Sequence, residues 1–211
     1  MLIIGAGGFA REILEIFHQK DDIENLAFYN DLNLNDEPLL FGRFPVLSNE
    51  SQVRDFFKGK GNDFTIGIGK PHLREKMYGK FISLGGHFVS TISPRAILGS
   101  YEVQISEGCN ILDNAIISNS TSIGRGCIAY YNTMITHDCK VGDFVELSPG
   151  ATLLGGCTIG SYTHIGANAT VLPRVAIGSN SIIGAGAIVN KDLPDNCIAV
   201  GVPARIIKKI S

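Results

Sequence analysis

The chain has 211 residues, 45% of them hydrophobic, and a formal charge of −2 at neutral pH. That is enough apolar material for one large or two small domains, and the charge gives no general electrostatic attraction to nucleic acid or an anionic membrane. No apolar run reaches the roughly 18 residues of a bilayer span, and the five cysteines form no CxxC pair, so neither a disulfide framework nor a zinc ribbon is indicated.

Met1-Leu2-Ile3-Ile4 is cut short by Gly5 and lacks a basic n-region, so it reads as a buried strand rather than a secretory signal, which points to the cytoplasm. Gly5-Ala6-Gly7-Gly8-Phe9-Ala10 follows, and Arg11 to Lys20 carries Ile13, Leu14, Ile16 and Phe17 at helical spacing. Strand, glycine turn and helix in that order bring backbone N–H groups to a helix N-terminus, where an anion such as a phosphate is favoured. A strand over Leu26 to Tyr29 ends in Asn30-Asp31, placed to meet a ribose or a base. A helix near Ser48 to Lys58, a strand from Phe64 to Ile68 and a helix from Pro71 to Leu84 continue the alternation. The spacing predicts a small, truncated Rossmann-like α/β unit. Close helix–sheet packing alone would also account for the glycines. A nicotinamide dehydrogenase would share the fingerprint, but ninety residues leave no second mononucleotide half, and a nucleotide attached to a sugar fits the size better.

The character of the chain then changes. Of 17 aromatic residues, 12 precede residue 91 and 5 follow it, with the seam at Thr91-Ile92-Ser93-Pro94. Stepping by six from Ile105 to Val189 gives fifteen positions, fourteen of them Ile, Leu or Val and the other Ala129. Two residues before each stands a small or β-branched residue, including Cys109, Cys127, Cys139 and Cys157. Residues two apart on a strand share a face, so these rows fill one narrow interior, where the cysteines serve as small hydrophobes. Only Cys197 lies outside that register. Glycine follows the aliphatic at 124, 142, 160, 166, 178 and 184, where sharp bends are expected. Short strands that bend every six residues and close on themselves make a parallel β-solenoid. Periodicity alone leaves its handedness and number of sides open.

This repeat resembles the hexapeptide-transferase family, and the closing Gly201-Val202-Pro203-Ala204-Arg205 is similar to the family's usual ending. The resemblance implies a left-handed parallel β-helix with three sides and 18 residues per coil. A short βαβ unit with this glycine turn, joined to an uninterrupted hexapeptide solenoid, resembles the nucleotide-sugar N-acetyltransferases of bacterial glycan synthesis and the related sialic acid O-acetyltransferases. The division expected is a nucleotide-sugar-binding unit over 1–90, an acyltransferase solenoid over 91–205 and a tail over 206–211. The resemblance further implies a UDP- or dTDP-linked 4-amino sugar held by the first unit. It implies acetyl-CoA lying along the solenoid between subunits of a homotrimer, with no metal and no nucleic-acid or membrane partner.

His137 follows Ile135 by two, which places it at a corner and outside the tube, beside Asp138. Ile135-Thr136-His137-Asp138 resembles the family segment in which histidine is the general base and the acidic residue orients it. One coil on lie Gly155 and Gly156, so two missing side chains are expected to leave a slot over the imidazole for the pantetheine thioester. The resemblance places backbone contacts to acetyl-CoA at Gly155, Ala167 and Ala185, with Gly184 and Gly186 keeping that corner open, and lets Arg205, Lys208 and Lys209 meet its phosphates. It places sugar and nucleotide contacts at Gly5, Gly7, Gly8, Phe9, Asn30, Asp31 and Gly69. Glu146 stands where relatives often carry a second histidine, and would bind the substrate ammonium or pair with His164 one coil on. Phe9 stands where some relatives have a histidine. Three other functions share parts of this pattern. A γ-type carbonic anhydrase needs three converging histidines, whereas the solenoid has only His137 and His164, on different faces. A sugar-sensing module would bind nucleotide sugar without releasing thiol from acetyl-CoA. A sugar O-acetyltransferase would make an ester instead of an amide.

Overall fold

Three consecutive buried aliphatics form β1 (Leu2–Ile4), in the first of two units, Met1–Thr91 and Ile92–Ser211, into which the chain divides. The computed structural model describes residues 1–32 and 38–210. After β1 come α1 (Gly8–Gln19), β2 (Ala27–Tyr29), β3 (Leu39–Leu40), β4 (Phe44–Leu47), α2 (Glu50–Lys60), β5 (Asp63–Ile66), α3 (Pro71–Ser83) and β6 (His87–Phe88). α2 and α3 have local reasons to start, and α1 has a face to bury. α1 buries Ala10, Ile13, Leu14, Ile16 and Phe17. The Asn49 side chain caps α2 by accepting from Gln52 N at 3.0 Å, and Pro71 opens α3.

The sheet order is β3-β4-β2-β1-β5-β6, parallel except for β3 against β4. From β1 the chain builds outward through β2 and β4, then α2 carries it back to β5 on the other side of β1. Strand order therefore reverses at β1, and the carboxyl ends of the strands flank a crevice there. The β3–β4 hairpin has no counterpart in the sequence reading. Its turn holds Phe41 at φ 53° and Gly42 at φ 65°, both left-handed, and a phenylalanine there gives none of the Asn-Gly signal that marks such turns.

The second unit is a three-sided parallel β-helix. Ile128 pairs with Glu146, Met134 with Thr152 and Lys140 with Thr158, so through the body of the solenoid neighbouring coils are eighteen residues apart on each face, closing to sixteen where Ile182 pairs with Ile198. The expected rows of aliphatic and small residues form one buried cluster inside the tube. Ile97 and Leu98 also belong to a face, but they pair with Ile116 and Ile117, nineteen residues on. That one-residue slip is why six-step counting misses them. All five cysteines, Cys197 included, are free and buried, which removes the last exposed thiol. Arg205–Lys209 is not a free tail but a strand, antiparallel to Cys197–Val200. Ser211, the end of the expected tail, lies outside the described residues.

The corners work differently from the sequence expectation. The glycines at 124, 142, 160 and 166 are not in the left-handed region; a Cβ at Gly124 would come within 2.6 Å of the Gly142 carbonyl carbon, and one at Gly142 within 2.7 Å of Ser161 N. They are small because the next coil's backbone lies against them. The bend itself is made further along each corner, by Asn114, Ser120, Asn132, Asp138, Phe144, Tyr162, Asn168, Arg174 and Asn180 or by Gly126, Gly150, Gly156 and Gly186, all at positive φ.

Candidate active site

In the first unit, Gly5, Gly7, Gly8, Phe9, Asn30, Asp31 and Gly69 all line one cleft of about 810 Å³, within the roughly 300–1,000 Å³ of small-molecule sites. Gly5 has φ +107° and lies so close to Gly67 that a Cβ would stand 2.9 Å from its carbonyl oxygen; a Cβ on Gly67 would collide with Ala10. Those two glycines are explained by packing. Gly7 and Gly8 are not, since nothing lies within 4 Å of a Cβ at either, and they open the N-terminus of α1 to the cleft.

Asn30 shapes its own turn, its side-chain oxygen accepting from Leu32 N at 3.3 Å. Asp31 Oδ2 accepts from Tyr29 Oη at 3.0 Å and pairs with Lys80 Nζ at 3.3 Å. Partial burial opposes the charge, but these bonds hold the Asp31 carboxyl below its ordinary value. Gly69 is held by Arg74, a wholly buried side chain of α3 that donates to the carbonyls of Ile68 and Gly69. Arg11 lies 5.4 Å from the Phe41 ring, and both are exposed. Arg11, Lys80 and Arg74 were not singled out in the sequence. Arg11 lies in the first turns of α1, directly after the glycines, and its spacing was a usable signal. The other two come from α3, far along the chain, and only folding brings them here.

In the second unit, Asp138 sits at φ 61° at the corner after Met134–Ile135 and turns its carboxylate back to the preceding imidazole. His137 Nδ1 lies 2.7 Å from Asp138 Oδ2, and the His137 side chain is 68% exposed. A carboxylate accepts only, so in the neutral ring Nδ1 carries the hydrogen and Nε2, on the Gly155 side, keeps its lone pair. The slot expected over this ring is occupied by the ring itself: a Cβ on Gly155 would lie 2.5 Å from His137 Cε1 and 2.6 Å from Nε2. Gly156 has φ +75°, and its N–H donates to His137 O at 3.0 Å, so it is spent on the corner.

The corner N–H groups sort into capped and open. Arg125 N donates to Asp143 Oδ1, Asp143 N to Ser161 Oγ and Ser179 N to Asp195 Oδ1, at 2.7–3.0 Å. In the first two the acceptor comes from the residue eighteen further on. For Gly155 that residue is Pro173 and for Ala167 it is Ala185; neither has a polar side chain. Among the described residues, nothing accepts from the N–H of Gly155, Ala167 or Ala185. Gly186 N donates to Ala167 O, and Gly184 N to Ala199 O. A Cβ on Gly184 would meet Val200 Cγ1 at 2.7 Å, so that glycine is explained by packing.

Glu146 is on a strand of another face, paired with His164 at 3.7 Å; His164 Nε2 is also 2.7 Å from Ser148 Oγ. His137 is on a corner and His164 on that face, so within one chain they do not converge. Among the described residues no group of three His, Cys, Asp or Glu side chains is placed to hold a metal ion. No described helix is long and apolar enough to cross a membrane. Cys139 and Cys157 stack one coil apart beside this corner; the bond to Cys157 brings the Cys139 thiol down to about 7 and pushes that of Cys157 up. Both are closed off from solvent.

A cleft where the strand order of an α/β unit reverses and a hexapeptide solenoid with an exposed, carboxylate-oriented histidine define the class of two-unit acyltransferases. Residues 1–81 match the PglD N-terminal domain family and residues 156–191 the bacterial transferase hexapeptide (six repeats) family. PerB from Caulobacter crescentus, solved in complex with CoA and GDP-perosamine, is 30% identical, with 98% of this chain and 96% of that chain covered at a TM-score of 0.89. A histidine-to-alanine variant of GDP-perosamine N-acetyltransferase from the same organism, also with CoA and GDP-perosamine, is 29% identical over 99% and 96% at 0.89. The acetyltransferase domain of PglB from Neisseria gonorrhoeae, in complex with acetyl coenzyme A, is 26% identical over 98% of both chains at 0.89. No curated protein sequence matches. The chain belongs to the hexapeptide-repeat acetyltransferases of the nucleotide-sugar group, and it is an acyltransferase.

Proposed function

We propose that the protein transfers the acetyl group of acetyl-CoA to the amino group of a nucleotide-linked amino-deoxysugar, with the nucleotide in the cleft of the first unit and His137 as general base. The observation that carries this is the His137–Asp138 pair beside the open N–H of Gly155. The sugar ammonium first loses a proton to water. The free amine then attacks the thioester carbonyl, forming the C–N bond, and His137 Nε2 takes the second amine proton. The Gly155 N–H is placed to stabilise the developing oxyanion. Collapse breaks the C–S bond, and the imidazolium returns its proton to the departing thiolate, so no covalent enzyme intermediate is needed. The N–H groups of Ala167 and Ala185 would hold the donor's amide carbonyls.

Neighbours solved with GDP-perosamine add GDP sugars to the UDP- and dTDP-linked sugars as candidates. A homotrimer with the donor between subunits suits this chain, because Gly155 and Ala185 lie at different corners of the solenoid, one and two-thirds windings apart. Free-thiol release from acetyl-CoA with GDP-, UDP- and dTDP-linked 4-amino-6-deoxysugars tests the assignment, and product analysis separates amide from ester. His137→Ala should lower kcat by about 10²–10⁴-fold while acetyl-CoA affinity stays near wild type. Near-normal turnover by that folded variant removes His137 from the role.

A further inference from the structure

Lys80, on α3, does not itself line the cleft, yet its contacts end on residues that do. Its Nζ is 2.8 Å from Tyr29 Oη and 3.3 Å from Asp31 Oδ2, and stands 4.9 Å from the Tyr29 ring centroid. Tyr29 Oη donates to the same oxygen, Oδ2, at 3.0 Å. The neighbouring Phe81 is wholly buried and packs edge-on against Tyr29 at 4.9 Å, which fixes the turn of α3 that carries Lys80. Among the described residues, Glu50 Oε1, at 3.8 Å, is the other anion near Nζ. Asp31 thus has Oδ2 taken by two donors, and its own backbone N–H also bonds the carboxylate, while among the described residues no other residue engages Oδ1.

Resting on the reading of this cleft as a nucleotide-sugar site, we propose that Lys80 is a positioning residue: with Tyr29 it clamps Asp31 Oδ2, so that Oδ1 is presented to O–H or N–H donors of the bound nucleoside. The same contact offsets the carboxylate's charge. A bare aspartate in a cleft of this size would lie within a Debye length, about 8 Å at physiological salt, of an anionic diphosphate and would repel it. The donors are either the ribose hydroxyls or the N–H edge of the base.

Titration calorimetry of wild type, Lys80→Met and Lys80→Arg with UDP, dUDP, GDP and dGDP, alongside steady-state kinetics on the accepted nucleotide sugar, tests this. Lys80→Met is expected to weaken nucleoside diphosphate binding and raise the nucleotide-sugar KM by roughly tenfold, the scale of one charge-assisted hydrogen bond. The kcat, the acetyl-CoA KM and the Tm should hold, and Lys80→Arg should recover most of the affinity. A penalty that shrinks with the deoxynucleotides assigns Oδ1 to the ribose 2′-hydroxyl; one that persists assigns it to the 3′-hydroxyl or the base. Unchanged nucleotide affinity in Lys80→Met, or a fall in kcat and Tm together with it, overturns the role. A wild-type protein that binds none of the four, nor dTDP, overturns the assignment of the cleft, and this inference with it.

Discussion

The His137 corner depends on one absent methyl group. Since a Cβ at 155 would fall 2.5–2.6 Å from the imidazole, Gly155→Ala must push the ring aside. The ring is exposed and can rotate, so the Tm should scarcely move, whereas kcat should fall by about 10²-fold, the usual penalty for a misplacement near 1 Å. Single-turnover kinetics beside a thermal melt would show the split; loss of folding would mean the glycine serves the coil instead. Asp138 needs a different substitution. At φ 61° it occupies a region that Asn adopts more readily than Ala, so Asp138→Asn keeps the turn while removing the charge and substituting an amide that can donate as well as accept and no longer selects the tautomer. We expect kcat to drop at least about tenfold with the fold intact. The sequence made His137 and Asp138 legible because they are adjacent and mark a corner. It misplaced the reason for Gly155, because chain arithmetic says which residues stack but not which way a ring leans.

Within the solenoid, what was legible was the inside. The six-step row of aliphatics is dictated by packing in a narrow tube, and it survives nearly every coil. Corner chemistry was misread because glycine serves two purposes there, close approach at 124 and 142 and left-handed turning at 126 and 156, and composition does not separate them. The rule of capping from eighteen residues on makes an element-scale prediction. Pro173→Asp places a carboxylate where Asp143 stands relative to Arg125, so it should cap Gly155 N–H and remove the oxyanion donor. Loss of one such donor elsewhere costs about 10²–10³ in kcat, and stability should be held or slightly raised. Ala129 is the one small residue in the aliphatic row, and a void of about 10 Å³ lies beside it, lined by Ile111, Ile123, Ile135 and Leu147 among others. Ala129→Val should fill it and stabilise the coil by roughly 0.5–1 kcal/mol, read as a rise in the denaturation midpoint at constant m-value.

At the scale of the molecule, each unit was recognisable from its own period: βαβ alternation in the first and a hexapeptide in the second. The β3–β4 hairpin and the buried Arg74 were not, since a two-residue strand has no period and nothing in the spacing marks an arginine as buried against the carbonyls of Ile68 and Gly69, six and five residues back. The proposed assembly has a direct check. If the donor site pairs the His137 corner of one subunit with the Ala185 corner of the next, His137→Ala and Ala185→Trp should each be inactive alone. Reassembled as mixed trimers, they should recover about a quarter of wild-type activity, because one site in four then combines two intact corners. No recovery on mixing places both corners of a site on one chain.

The coil spacing also makes the second unit a measuring rod. From Gly155 to Ala185 is thirty residues along the chain, one and two-thirds windings, or about 8 Å of axial travel at the 4.8 Å interval between hydrogen-bonded strands. An inserted winding between them would fold as readily as any other and keep every side chain on its face, yet stretch that gauge by more than half. Such a protein would remain sound as a scaffold and lose its grip on an acyl carrier of fixed length.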